Sequence, residues 1–179
     1  MSLTFLLGGA RSGKSSLAVR LADATDMRVT VVATAEARDD EMAQRIGAHR
    51  EARPAGWDTV EEPLDIGAAI ASIDPGRVVI LDCLSLWVSN AMEAGLAADQ
   101  MLRGSADAAR SLAARSVPAF AISNEVGLGM VPMHPLGRAY RDLLGRVNAQ
   151  WAAAADRAFF LVAGRVLPLL DALDEVPAR

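Results

Sequence analysis

The chain has 179 residues, 52% of them hydrophobic and 22% charged, with a formal net charge of −4. That length suits one domain, residues 1–179, and the apolar fraction supports a real core and excludes disorder as its general state. No apolar run approaches the roughly 20 residues that span a bilayer, and the start Met1–Leu7 lacks the basic region of a secretory signal.

In chain order, Leu3–Leu7 is a short apolar run closed by Gly8-Gly9 and reads as a buried strand. Ser15 to Ala24 carries Leu17, Ala18, Leu21 and Ala22 on one helical stripe. Val29–Ala33 is a second buried strand. Asp39-Asp40 caps a helix that runs to about Arg50, and Arg53-Pro54-Ala55-Gly56 breaks it. Pro63 fits the first turn of another helix, ending near Ile73. After the turn Asp74-Pro75-Gly76, Val78–Leu81 is a strand that delivers Asp82 at its carboxyl end. Leu84–Ala94 and Ala98–Arg115 read as helices, Pro118–Ser123 as a strand, and Asn124–Pro132 as a glycine-bearing loop. Pro135–Ala155 is a long amphipathic helix, and Phe159–Ala163 is the last clear strand. Strands alternating with helices predict an α/β fold, a mainly parallel sheet covered on both sides.

The acidic balance disfavours nucleic acid as the main partner, because such binders carry a basic stripe. One cysteine forms no internal disulfide, and metal-ligand clusters of Cys and His are absent from the sequence. Cys83 reads as a small buried hydrophobe. These features predict a cytoplasmic enzyme. The cations are informative: 17 of the 18 basic residues are arginine, and the one lysine is Lys14.

Lys14 lies in Gly8-Gly9-Ala10-Arg11-Ser12-Gly13-Lys14-Ser15, which matches G-x-x-x-x-G-K-[ST]. Its glycines let backbone N–H groups wrap a phosphate, and the helix that follows points its positive end there. Lys14 would neutralise the outer phosphates and the Ser15 hydroxyl would bind Mg²⁺. A strand before the motif and a helix after it set it apart from an incidental glycine turn. Asp82 is a natural second-sphere Mg²⁺ partner in such folds, or a cap for the helix at Leu84, or both.

The charged segment 33–54 follows the second strand, so its start falls near the phosphate loop in a doubly wound sheet. A neutral imidazole there, His49, can attack an α-phosphate and hold a nucleotide covalently, with Arg45, Arg50 and Arg53 offsetting charge. The competing reading is packing, because His49 shares a helix face with Met42 and Ile46.

Read together, GGARSGKS (8–15), DDEMAQRIGAHREARPAGW (39–57), ILDCLSLWVSN (80–90), SNEVGLGMVP (123–132) and RDLLGRVNAQWAAAAD (141–156) resemble a known family across nearly the whole chain. It is the bifunctional adenosylcobinamide kinase / adenosylcobinamide-phosphate guanylyltransferase family of cobalamin biosynthesis. The resemblance implies a three-layer, RecA-like P-loop NTPase fold, usually trimeric. It implies phosphorylation of adenosylcobinamide by ATP or GTP with Mg²⁺. GTP then guanylylates an enzyme histidine, and the GMP passes to adenosylcobinamide phosphate to give adenosylcobinamide-GDP.

By motif position His49 resembles the guanylylated histidine. The nucleotide contacts carried over are Gly8 to Ser15, Ala33, Thr34, Ala35, Arg50, Glu51, Ala52, Arg53, Glu61 and Asp82. Glu62 stands beside Glu61 as an alternative, and either is open to a solvated role. The loop Asn124–Gly129 either shapes the corrinoid or phosphate pocket or is a turn capped by Asn124. Many relatives carry two adjacent histidines where this chain has Ala48-His49, and its ending, Gly164–Pro168 and the tail to Arg179, departs from the family pattern. His134 matches no functional position and reads as a loop residue. The competing functions are a P-loop kinase for another small alcohol, with His49 structural, and a GTP-binding switch.

Overall fold

A computed structural model describes residues 3–171 of the chain. The apolar runs become parallel strands: β1 (Leu3–Gly8), β2 (Val29–Ala33), β4 (Val78–Asp82), β5 (Ala119–Asn124) and β6 (Arg157–Val162). With β3 (Asp58–Glu61) and β7 (Arg165–Leu169) they form one sheet in the order β3-β2-β4-β5-β1-β6-β7. All neighbours pair parallel except β6 and β7, which form an antiparallel hairpin.

The central strands β1, β2, β4 and β5 are predominantly apolar, with Thr4, Thr30 and Ser123 buried among them, because both faces are covered. Leu3, Phe5, Leu7, Val79, Leu81, Ala119 and Ala121 pack on one side against α3 (Ile66–Ser72), α4 (Leu84–Glu93), α5 (Ala98–Ala113) and α6 (Pro135–Ala154). The alternate residues Leu6, Val78, Ile80, Phe120 and Ile122 face Ala18 and Ala22 of α1 (Lys14–Asp23). The result is the three-layer α/β arrangement that the alternation predicts. Trp151 is fully buried in the larger layer, with its indole N–H donating to Ser105 Oγ at 3.0 Å.

Three expectations need correction. Pro63 does not open α3: its first residue is Ile66, and Asp65 caps it by accepting from the Ala68 N–H at 2.9 Å. The last parallel strand starts at Arg157 and ends at Val162, with Ala163-Gly164 making the turn into β7, a strand the sequence reading did not assign. β3 was likewise unassigned; it pairs with β2 at the sheet edge, Thr30 opposite Asp58. The tail from residue 172 to Arg179 lies outside the described residues. Among the described residues, no helix is long and apolar enough to cross a membrane.

Candidate functional site

Parallel register brings the carboxyl ends of the strands into one row. Ala33 stands opposite Glu61 on one side and Asp82 on the other, and Gly8 stands opposite Asn124. Ligands in open α/β sheets bind along this edge.

The phosphate loop leaves β1 at Gly8, where an added Cβ would collide with the Leu161 carbonyl oxygen of the adjacent strand. Gly13 precedes α1 with φ 99°, a conformation glycine adopts without cost. Lys14 is buried, and its ammonium donates to the carbonyl oxygens of Gly8 at 2.8 Å and Gly9 at 2.7 Å and to Ser12 Oγ at 3.3 Å. Burial draws its pKa down, while the nearby Cys83 and Asp82 oppose the shift. Ser15 follows, half-buried, in the first turn of α1, whereas Ala10 and Arg11 are exposed. The β6–β7 turn braces the loop, with the Gly164 N–H donating to the Ser12 carbonyl at 3.1 Å. Sequence reading missed this brace because β7 itself was not recognised.

Thr34 is wholly buried and clasps the end of β4. Its hydroxyl donates to the Cys83 carbonyl at 2.7 Å and accepts from the Cys83 N–H at 2.9 Å. The Thr34 carbonyl in turn accepts from Asn90 Nδ2 at 2.8 Å, and the half-buried Ala35 continues the chain beside it. Cys83 is the small buried residue its sequence context predicts, and burial pushes its thiol up to about 11. Cys83, not Asp82, occupies the cap position of α4, without a side-chain cap bond. The carboxylate of Asp82 is therefore not spent on that helix.

The Asp82 carboxylate instead meets His49. Its Oδ2 lies 3.5 Å from His49 Nδ1, with Asp82 14% and His49 48% exposed at the side chain. His49 sits in the last turn of α2 (Asp40–Glu51), a helix none of whose residues is buried. That placement does not match the packing role its apolar stripe allowed. The hydrogen bond to Asp82 raises the histidine pKa; partial burial and the charges of Arg53 and Arg45 pull the other way. Arg53 is half-buried and donates to Thr59 Oγ1 at 3.2 Å. Its own pKa is lowered, first by desolvation. Arg50 pairs with Glu61, while Glu51 and Ala52 end α2 in solvent. Glu62 is committed elsewhere: its carboxylate accepts from the Leu64 and Asp65 N–H groups at 2.9 and 2.8 Å.

The oxygen donors Ser15 and Asp82 fit a hard cation such as Mg²⁺, which usually takes one or two protein oxygens and completes its shell with phosphates and water. Among the described residues no group of three or more His, Cys, Asp and Glu is arranged to hold a metal ion alone. At the end of β5, Asn124 does not cap a glycine turn; its amide donates to Ser85 Oγ at 3.0 Å, and the Glu125 N–H donates to the Gly8 carbonyl at 3.2 Å. This ties the loop 124–132 to the phosphate loop and leaves Leu128 and Met130 largely exposed at the same edge. His134 is the exposed residue before α6 and makes no side-chain cap bond.

The chain is similar to known proteins over nearly its full length. The family described as cobinamide kinase / cobinamide phosphate guanyltransferase matches residues 4–169. The bifunctional adenosylcobalamin biosynthesis protein CobP of Pseudomonas aeruginosa is 44% identical, covering 92% of this chain and 95% of the relative. The bifunctional adenosylcobalamin biosynthesis proteins CobU of Escherichia coli and Salmonella typhimurium are 37% and 39% identical, each covering 90% of this chain and 96% of the relative. Among solved structures, the RadB recombinase matches with TM-score 0.48 and 16% identity, over 89% of this chain and 73% of that one.

Proposed function

The chain belongs to the cobinamide kinase / cobinamide phosphate guanyltransferase family, and from that premise we propose that both of its reactions run at the single phosphate loop, the second through a guanylyl group on His49. The enzyme is a bifunctional kinase and guanylyltransferase of cobalamin biosynthesis. In the kinase reaction ATP or GTP lies with its phosphates in Gly8–Ser15, and the hydroxyl of adenosylcobinamide takes the γ-phosphoryl group. Bound Mg²⁺, held through Ser15 and near Asp82, would neutralise phosphate charge. Lys14 is poised for this: its ammonium now satisfies the loop's own carbonyls, and an incoming phosphate would exchange for them.

In the second reaction a His49 nitrogen attacks the α-phosphorus of GTP and pyrophosphate departs. An oxygen of adenosylcobinamide phosphate then attacks the same phosphorus, the N–P bond breaks, and adenosylcobinamide-GDP leaves with His49 restored. Splitting one transfer into two is the general use of a covalent nucleophile. Arg50 and Arg53 offset charge on the nucleotide, and Glu61, now paired with Arg50, is freed to accept from guanine. The remaining contacts are Ala33, Thr34, Ala35, Glu51 and Ala52. The same reading takes the protein as a single cytoplasmic domain, residues 1–179, that works as a trimer.

The observation that carries the reading is the His49–Asp82 pair at the strand-end row beside Lys14. Incubation with Mg²⁺ and α-labelled GTP should leave label on the denatured chain. The label should resist alkali, be lost in acid and be absent from His49→Ala. GTP binding without label would return His49 to a structural role and favour a plain kinase.

A further inference from the structure

Imidazole has two nitrogens, and a covalent nucleotide on His49 must use one of them. We infer that Asp82 is a positioning residue that fixes this choice, holding the ring proton on Nδ1 so that Nε2 of His49 is the atom that bonds to phosphorus. The inference rests on the guanylyl-histidine reading given above.

The geometry is asymmetric. Asp82 is anchored at the end of β4, its side chain only 14% exposed, in a backbone clasped by the buried Thr34. His49 meets this fixed acceptor through Nδ1 at 3.5 Å, and its side chain is otherwise 48% open. The two nitrogens of a neutral imidazole divide their roles, one donating a hydrogen and the other offering a lone pair. A carboxylate facing Nδ1 selects the tautomer with hydrogen there, and the lone pair is then on Nε2. The cationic neighbours, Arg45 and Arg53, are donors only and have no power to hold a ring proton.

The steps balance with that proton in place. The Nε2 lone pair forms the N–P bond as the Pα–O bond to the departing pyrophosphate breaks. The ring then carries a positive charge with hydrogen still on Nδ1, facing the Asp82 carboxylate. When the acceptor phosphate oxygen attacks, the N–P electron pair returns to Nε2 and the ring is neutral again. Proton transfer to or from the ring is needed in neither half. The second carboxylate oxygen of Asp82 stays available to the Mg²⁺ shell.

The test is the identity of the phosphohistidine. Protein labelled from α-labelled GTP is stripped of guanosine by periodate and base elimination and then hydrolysed in alkali. The two phosphohistidine isomers are separated against standards. The expected product is the Nε2 isomer, in about tenfold excess or more, since one charge-assisted hydrogen bond is enough for a bias of that order. The Nδ1 isomer as main product would overturn the inference while leaving a covalent His49 intact; label absent from His49 would instead remove the parent reading. Asp82→Asn retains the size of the side chain but offers both an acceptor and a donor to Nδ1, so its residual label should spread over both isomers. A variant that still labels Nε2 alone would strip Asp82 of the positioning role.

Discussion

His49 is 48% exposed at its side chain, yet its ionisation is set by particular neighbours. The bond to Asp82 raises its pKa above the ordinary value of about 6.5, and the charges of Arg53 and Arg45 only partly offset this. Only the neutral ring attacks phosphorus, so a raised pKa keeps the nucleophile protonated to higher pH. Label incorporation from GTP should therefore climb with pH along an acid limb centred above 6.5. Asp82→Asn should move that limb to lower pH while slowing the reaction; a pH profile of single-turnover guanylylation reads both, and an unmoved limb would mean that another group titrates. Gly8 poses a different demand at the same edge. A methyl group there meets the Leu161 carbonyl of the neighbouring strand, backbone against backbone. Gly8→Ala should cost about 1–3 kcal/mol, read as a lower midpoint in urea denaturation, because strand pairing leaves neither partner room to retreat.

At the scale of elements, α2 is the outlier among the described helices. It buries no residue, and Asp39 supplies its N-cap by accepting from the Met42 N–H at 2.7 Å. A helix without a buried face draws its stability from caps and ion pairs, so it should open locally far more readily than α5 or α6. Hydrogen exchange should show α2 amides exchanging well ahead of those in α6, where Leu144, Val147 and Trp151 are fully buried. Asp39→Ala should raise exchange in α2 by removing a cap worth about 1 kcal/mol, with little change in α6; equal protection in the two helices would refute local opening. Elements of this kind also mark where sequence reading works. β1, β2, β4 and β5 are mostly apolar because two layers cover them, and their short apolar runs are legible in the sequence. β3 has one apolar residue, Val60, in four positions, and its existence depends on the ladder that β2 offers. β7 holds Val166, Leu167 and Leu169, but Pro168 inside the run argues against a strand, and β7 pairs only with β6 at the sheet edge. The cap of α3 was readable in principle, since Asp65 precedes Ile66, Ala69, Ile70 and Ile73, but Pro63 was the louder signal. The phosphate motif announced itself by spacing, whereas the meeting of His49 with Asp82 joins residues on separate elements and no local pattern encodes it.

Across the whole molecule, sheet topology concentrates the chemistry on one edge. β2 and β4 flank each other, β1 lies beyond β5, and their ends set Ala33, Asp82 and Gly8 in one row facing the same solvent. The described chain offers one phosphate loop on that row, and both reactions require the charge of a triphosphate to be held. A kinase step acts at the γ-phosphorus and guanylyl transfer at the α-phosphorus, so one bound GTP cannot present both atoms to a single acceptor position. On the proposed reading the two reactions differ in what approaches the triphosphate, a cobinamide hydroxyl in one and His49 in the other, while one loop holds it in both. Lys14 is the residue on which this turns, because it is the chain's one lysine and its ammonium touches the loop at three points. Lys14→Ala should lower cobinamide phosphorylation and guanylyl labelling together, each by about 10²–10³-fold, the usual loss when one preorganised charge stabiliser is removed. The variant's melting temperature distinguishes lost chemistry from lost fold. Guanylylation that survives in Lys14→Ala while phosphorylation falls would require a second triphosphate site, and the shared-loop reading would have to be abandoned.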